Sequence, residues 1–127
     1  MQCVPHKVKH FAWRACNYFL PTMDNLFRRH IVPSELCSQC KVQPEDIMHV
    51  ESSCAEVKGV WRNLSWVRDL AHPPSGDFTN FISRLLQVAD EHRAEYFIIM
   101  AWMLWNRRNT TRLNRPSQPL ENITRAA

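Results

Sequence analysis

The sequence predicts a mainly α fold: a small helical domain of about five helices organised around a Cys-Cys-His-Cys zinc loop. Three observations predict it. Apolar residues return at helical spacing in every long segment, and no alternating apolar/polar run is long enough for a strand. Two glycines against eight prolines leave few sites for tight hairpins and favour helices joined by proline breaks. Cys37, Cys40, His49 and Cys54 follow the spacing C-x2-C-x8-H-x4-C, which suits a closed metal loop.

From Pro5 to Phe19, the residues Val8, Phe11, Ala12, Ala15, Cys16 and Phe19 recur at helical spacing, with Lys7, His10 and Arg14 opposite. Leu20-Pro21 breaks that pattern. Thr22 is placed to cap a short second helix through Arg29, with Asp24 in its first turn and Arg28-Arg29 in its last, both suited to the helix dipole. Pro33-Ser34 leads into the metal loop. Beyond Cys54, the residues Val57, Val60, Trp61, Leu64 and Val67 predict a third helix to about Leu70. Pro73-Pro74-Ser75-Gly76 reads as a linker, and Asp77 as the cap of a helix carrying Phe78, Phe81, Ile82, Leu85, Leu86 and Ala89. A last helix is expected from about Glu91 to Thr111. Its ten-residue apolar run, Tyr96 to Trp105, is too short to span a bilayer and marks a helix buried among others. The expected organisation is a zinc-binding domain over 1–72, a linker over 73–76, a helical pair over 77–114 packing on that domain, and a loose tail over 115–127.

Two thiolates from one tight turn, followed by a histidine and a third thiolate, fill all four positions of a tetrahedral zinc. No position is left for water, so the reading is a structural metal and not a catalytic one. The competing interpretation, ordinary buried thiols and a core histidine, is weakened by four ligands falling within 18 residues. The N-terminus has no apolar signal segment. Five thiols, an odd number, therefore read as reduced and intracellular, nuclear or cytoplasmic rather than secreted.

The net charge of +4 is unevenly distributed. Lys7, Lys9, Arg14, Arg28 and Arg29 stand against Asp24 alone in the first 30 residues, and Arg107, Arg108, Arg112 and Arg115 cluster near the end. The loop between them holds Glu35, Glu45, Asp46, Glu51 and Glu56 against Lys41. If RNA or DNA is bound, phosphates should meet Lys7, Lys9, Arg14, Arg28 and Arg29 rather than the acidic loop. The plainer reading of those cations is a solvated surface. Arg107, Arg108 and Arg112 are expected to solvate the end of the last helix.

Pro5-His-Lys-Val-Lys-His-Phe-Ala-Trp-Arg-Ala-Cys16, Leu20-Pro-Thr-Met-Asp-Asn-Leu26, the cysteine pair, Glu45-Asp-Ile-Met-His49, Cys54, Trp61 and Trp102-Met-Leu-Trp-Asn-Arg-Arg-Asn109 occur in one order. This set resembles the zinc-binding domain found behind the reverse transcriptase of plant LINE-type (non-LTR) retrotransposons. The resemblance implies that Cys37, Cys40, His49 and Cys54 hold Zn2+. It also implies that such a domain sits beside a polymerase, commonly with ribonuclease H downstream. Two positions depart from the resemblance: Lys41 and His30 stand where glycine is often found. The chain carries no Tyr-x-Asp-Asp and no palm-like stretch of paired aspartates, so it resembles a detached fragment without the element's own chemistry.

His49-Val-Glu51 also matches the His-x-Glu of zinc deaminases, but that signature needs its cysteine pair after the glutamate, whereas here it comes before. Of the five tryptophans, Trp61, Trp66, Trp102 and Trp105 read as core, while Trp13 lies at the edge of its apolar stripe and is the candidate for base stacking. Cys16 reads as a small core residue and Cys3 as a free terminal thiol. His6, His10, His72 and His92 read as surface residues, and His30 as a weak competitor for the metal. Two functions stand: a non-catalytic zinc module that helps a polymerase hold nucleic acid, or a docking module packing on a neighbouring polymerase or ribonuclease H domain. Neither calls for a membrane or a small-molecule substrate.

Overall fold

The computed structural model describes residues 4–62, 64, 66–67, 78–88 and 90–112. It is mainly helical, and β structure among these residues is a single isolated bridge between Leu36 and Pro44. Helices α1 (His6–Cys16) and α2 (Met23–Arg28) precede the metal loop. A π-helical turn (His49–Ser53) and a 3-10 turn (Lys58–Trp61) follow it, and α3 (Phe78–Val88) and α4 (Glu91–Arg112) complete the described elements.

Helix α1 turns Val8, Phe11, Ala12 and Ala15 inward, the stripe that 3.6-residue spacing demands. This helix packs on α3, which buries Phe78, Phe81, Ile82 and Leu85, and on α4, which buries Ala94, Phe97, Ile98, Ala101 and Leu104. The Phe97 ring lies between Trp61 and Phe81, at centroid distances of 4.9 and 5.1 Å, and joins the 3-10 turn to α3 and α4. The Thr79 hydroxyl donates to the Cys16 carbonyl at 2.8 Å, so α3 also satisfies one of the terminal carbonyls of α1. Helix α4 is apolar around most of its circumference because α1, α3 and the π-helical turn all pack on it. None of the described helices is long and apolar enough to cross a membrane.

Three expectations change. The helix expected over 57–70 is, in its described part, a single 3-10 turn and a short helical piece at Trp66-Val67. Gly59 lies inside that turn, where its missing side chain weakens any longer helix. Thr22 does occupy the N-cap of α2, but its hydroxyl bonds the Asp24 carboxylate and caps no backbone N–H. Glu45 takes that role: its carboxylate accepts the Met23 N–H at 2.9 Å and its carbonyl the Asp24 N–H at 3.0 Å. Arg108 does not solvate a helix end. It is 2 % exposed and forms an ion pair with the fully buried Glu45 at 2.5 Å. The expected linker, the Asp77 cap and the tail lie outside the described residues.

Helices α1 and α2 end alike. The Phe19 N–H reaches the Arg14 carbonyl and the Tyr18 N–H that of Ala15, and Ile31 and His30 repeat the pattern with Leu26 and Phe27. These are Schellman ends, and they place Tyr18 (φ 59°) and His30 (φ 61°) in the left-handed region. Lys41 adopts φ 61° after the cysteine pair. Both departures from the resemblance thus fall on positions whose backbone favours glycine.

Two predictions follow from these contacts. His30→Gly and Lys41→Gly should each stabilise the folded chain, the relief of about 1–2 kcal/mol of left-handed strain exceeding glycine's extra chain entropy, for a net gain below about 1 kcal/mol in denaturant melts. Arg108→Ala should cost about 3–5 kcal/mol in the same melts, because it leaves the Glu45 carboxylate buried without its cation.

Candidate metal centre

Cys37 opens a knuckle in which the chain reverses over three residues. Its N–H donates to the Gln43 carbonyl at 2.8 Å and its carbonyl accepts the Lys41 N–H at 2.9 Å. The Gln39 N–H points at the Cys37 sulfur at 3.4 Å, the backbone donation that stabilises a thiolate. The Leu36–Pro44 bridge and the Glu45 N–H bond to Glu35 close the knuckle behind the cysteines. His49 and Cys54 come from the two ends of the π-helical turn. The Asp46 carboxylate accepts the His49 N–H at 2.8 Å and fixes the start of that turn, and the Cys54 N–H bonds the His49 carbonyl at 3.0 Å.

The four donor atoms lie within 4.8 Å of one another. Cys37 Sγ and Cys54 Sγ are 3.9 Å apart, and Cys40 Sγ is 3.4 Å from His49 Nε2. A tetrahedral zinc with ordinary Zn–S and Zn–N bonds has S···S edges of about 3.8 Å and S···N edges of about 3.6 Å. Two opposite edges of the cluster therefore already have the dimensions of a zinc tetrahedron, and the soft donor set suits that ion. The sulfurs carry no disulfide, and His30, exposed beyond α2, stands outside the cluster.

Electrostatics differ across the four donors. Burial pushes the Cys54 thiol up to about 12, with the charges of Cys37 and Cys40 adding to it. Cys40 is held below its ordinary value by the backbone N–H of Val42 and then that of Gln43. Burial lowers His49, against the opposing pull of Glu45 and Asp46, so its imidazole stays neutral and free to donate a lone pair. Metal entry must displace protons from the thiols, above all from Cys54.

Helix α4 supports the knuckle from behind. Arg107 donates to the Gln39 side chain at 3.0 Å, and Arg108 donates to both Glu45 oxygens and to the Pro21 carbonyl at 3.1 Å. Sequence reasoning missed this pair of supports. A signal was present, since Ala101, Leu104, Trp105 and Arg108 share one helical stripe and Arg108 continues a buried face.

Glu51 is the other buried acid of the loop. Its carboxyl has no hydrogen-bond partner and burial holds it well above the usual carboxylate range. It lines a cavity of about 120 Å³ with Met48, Trp61, Phe78, Phe81 and Phe97, and it is no member of the metal-ligating group. Two of the five loop acids thus contribute nothing to the surface charge expected of them.

The five expected phosphate-binding residues divide. Lys7, Lys9, Arg28 and Arg29 are exposed, and half-buried Arg14 donates to the Phe19 carbonyl at 3.2 Å. Arg28 also bonds Asn25 at 2.6 Å and lies 3.5 Å from Asp24. Lys7 turns away toward α4, its ammonium 4.9 Å from the Trp102 ring centroid.

Residues 1–61 match a family described as zinc-binding in reverse transcriptase, so the whole metal cluster falls within the matched stretch. The chain is also 36 % identical, over 58 residues, to an Arabidopsis thaliana protein whose name describes it as a ribonuclease H protein. The aligned stretch is 46 % of this chain and 9 % of that protein, so the chain spans a small part of its relative. No solved structure matches it.

The full chain should bind one zinc, and Cys37→Ser or His49→Ala should abolish tight binding, as measured by metal analysis after gel filtration. In small zinc peptides the metal supplies roughly 10–16 kcal/mol of apparent binding energy that is shared with folding, so a chelator should also unfold the metal loop. Zinc should leave progressively as pH falls, because protons return to the thiols. Stoichiometric metal retained by both variants would refute the assignment.

Proposed function

We propose that this chain is a zinc-stabilised, non-catalytic module of a non-LTR retroelement reverse transcriptase of the plant LINE type, and that it holds nucleic acid beside the polymerase. The observation that carries this reading is the cluster of Cys37, Cys40, His49 and Cys54, four donors within 4.8 Å inside the stretch that matches the reverse-transcriptase family. All four positions of a tetrahedral metal are protein ligands, which suits a structural zinc and leaves no place for an activated water. The metal would lock the knuckle to the π-helical turn. Through Glu45, that lock extends to the start of α2 and to α4.

Nucleic acid would lie on the basic residues of α1 and α2. Helix α1 carries no acidic residue, and Lys9, Arg14, Arg28 and Arg29 give α1 and α2 a basic face. Zinc bound to three thiolates has a net charge of −1, which with Asp46 and Glu56 at the surface disfavours phosphate at the metal loop. A neighbouring ribonuclease H domain and an intracellular setting accord with the named relative and with reduced thiols.

A second reading has its own support. Phe27, Ile31, Leu36 and Val42 are exposed apolar residues between α2 and the metal knuckle, and Val42 is 74 % exposed. Such a surface would suit docking on an adjacent protein domain.

Joint replacement of Lys9, Arg14, Arg28 and Arg29 by glutamine separates the two. On the nucleic-acid reading, binding of a single-stranded oligonucleotide should weaken and the slope of log K against log salt should become shallower by about 3, one increment of roughly 0.7 per lost phosphate contact. Glu35→Gln and Glu56→Gln should leave binding unchanged or slightly tighter. Unaltered affinity and slope in the quadruple variant would favour the docking module.

A further inference from the structure

Helix α1 presents an aromatic residue where a soluble helix normally shows a polar one. Trp13 is 56 % exposed and Phe19, just beyond the helix end, is 50 % exposed. Their ring centroids are 5.5 Å apart with planes inclined at 60°, and the His10 ring lies 6.4 Å from that of Trp13 at 19°. The remaining described tryptophans are buried or packed against the core. Trp13 thus keeps a face in water although the molecule has an apolar interior to receive it.

The surroundings are cationic. At 3.6 residues per turn, Lys9, His10, Trp13 and Arg14 fall within an arc of about 140°, facing away from the buried Val8, Phe11, Ala12 and Ala15. The Asn17 side chain holds the Trp13 carbonyl at 2.8 Å, and Arg14 holds that of Phe19 at 3.2 Å, so both aromatic residues stand on fixed backbone. Phe19 and Tyr18 also border an open groove of about 610 Å³ that leads to Arg28 and Arg29. Asp24 and Asp46 line the same groove; Arg28 lies 3.5 Å from the Asp24 carboxylate, and the Asp46 carboxylate accepts the His49 N–H at 2.8 Å.

We infer that Trp13, with Phe19 and His10, is a base-stacking platform for single-stranded nucleic acid, whose backbone runs from Lys9 and Arg14 along the groove to Arg28 and Arg29. The inference rests on the nucleic-acid reading proposed above and specifies the form of nucleic acid bound. Indole and phenyl rings offered beside cations match an unpaired base joined to phosphates, whereas a duplex hides its base faces within its own stack. Stacking tolerates any base, so the platform selects single strands over duplexes with little sequence preference.

The test is a fluorescence-anisotropy titration of the zinc-loaded full chain with 12-nucleotide single strands of RNA and DNA and with a 12-base-pair duplex. The wild-type chain should prefer both single strands and lose tryptophan emission on binding them. Trp13→Ala should weaken single-strand binding between about fivefold and about 150-fold, the range of one stacked base, with its salt slope unchanged. Trp13→Phe should recover most of the affinity while removing the emission change. The exposed position of Trp13 should leave the thermal melt of both variants near wild type. Salt-dependent binding that ignores Trp13→Ala, or a duplex bound more tightly than either strand, would overturn the platform and leave the basic face standing. No binding of any oligonucleotide at low salt would overturn both and assign the aromatic face to a protein partner.

Discussion

The ion pair between Glu45 and Arg108 is the contact on which the rest of the structure depends. It joins residues 63 positions apart and is almost wholly removed from water. A buried pair of this kind gains little over an apolar contact of the same shape, but losing one partner strands the other charge. Its value lies in its connections. The Glu45 carboxylate also receives the first N–H of α2, its carbonyl receives the second, and its own N–H closes the knuckle onto Glu35. Arg108 adds the Pro21 carbonyl and lies over the Trp105 ring at 4.7 Å. One residue thereby fixes the position of α2, the metal knuckle and α4.

The metal cluster depends on that arrangement. A C-x2-C knuckle brings two sulfurs together by local geometry alone, but the other two ligands must be delivered from a separate segment. The π-helical turn carries His49 and Cys54 to the knuckle, and α4 packs on that turn. Trp61 binds the turn from the far side, its indole N–H donating to the Glu51 carbonyl. Zinc would complete a scaffold already closed by hydrogen bonds, with Cys37, His49 and Cys54 shielded from solvent. Shielding raises the hold of Cys54 on its proton and also strengthens the metal bond once that proton leaves.

Counting charge along the chain gives a poorer guide to the surface than counting it in space. The loop's acids divide into buried Glu45 and Glu51 and the more accessible Glu35, Asp46 and Glu56. Among the cations, Arg108 is internal and Lys7 lies against Trp102. The exposed Lys9, Arg28 and Arg29 and half-buried Arg14 remain on α1 and α2, the first helix also carrying Trp13, while exposed Lys7 leans on α4. The chemistry of that surface is cationic and aromatic together, which neither the net charge nor the tryptophan count conveys.

The sequence by itself determined the helical class, most of the buried stripes of α1, α3 and α4, and the identity of the four clustered residues. Each follows from spacing along one segment, because helix periodicity and knuckle geometry are local. Phe19 and Leu86, counted in those stripes, are exposed, and Trp13, expected at the edge of its stripe, is 56 % exposed. The sequence also marked His30 and Lys41 as unusual, and the left-handed backbone at both supplies the reason. Only the tertiary structure decided that Glu45 caps α2 in place of Thr22, that Arg108 is internal, and that the helix expected after Cys54 is, in its described part, a 3-10 turn braced by Trp61. Those outcomes turn on partners dozens of residues away. A polar side chain's choice between solvent and a buried partner depends on whether the partner arrives with matching geometry, and spacing within one segment carries no information about that arrival.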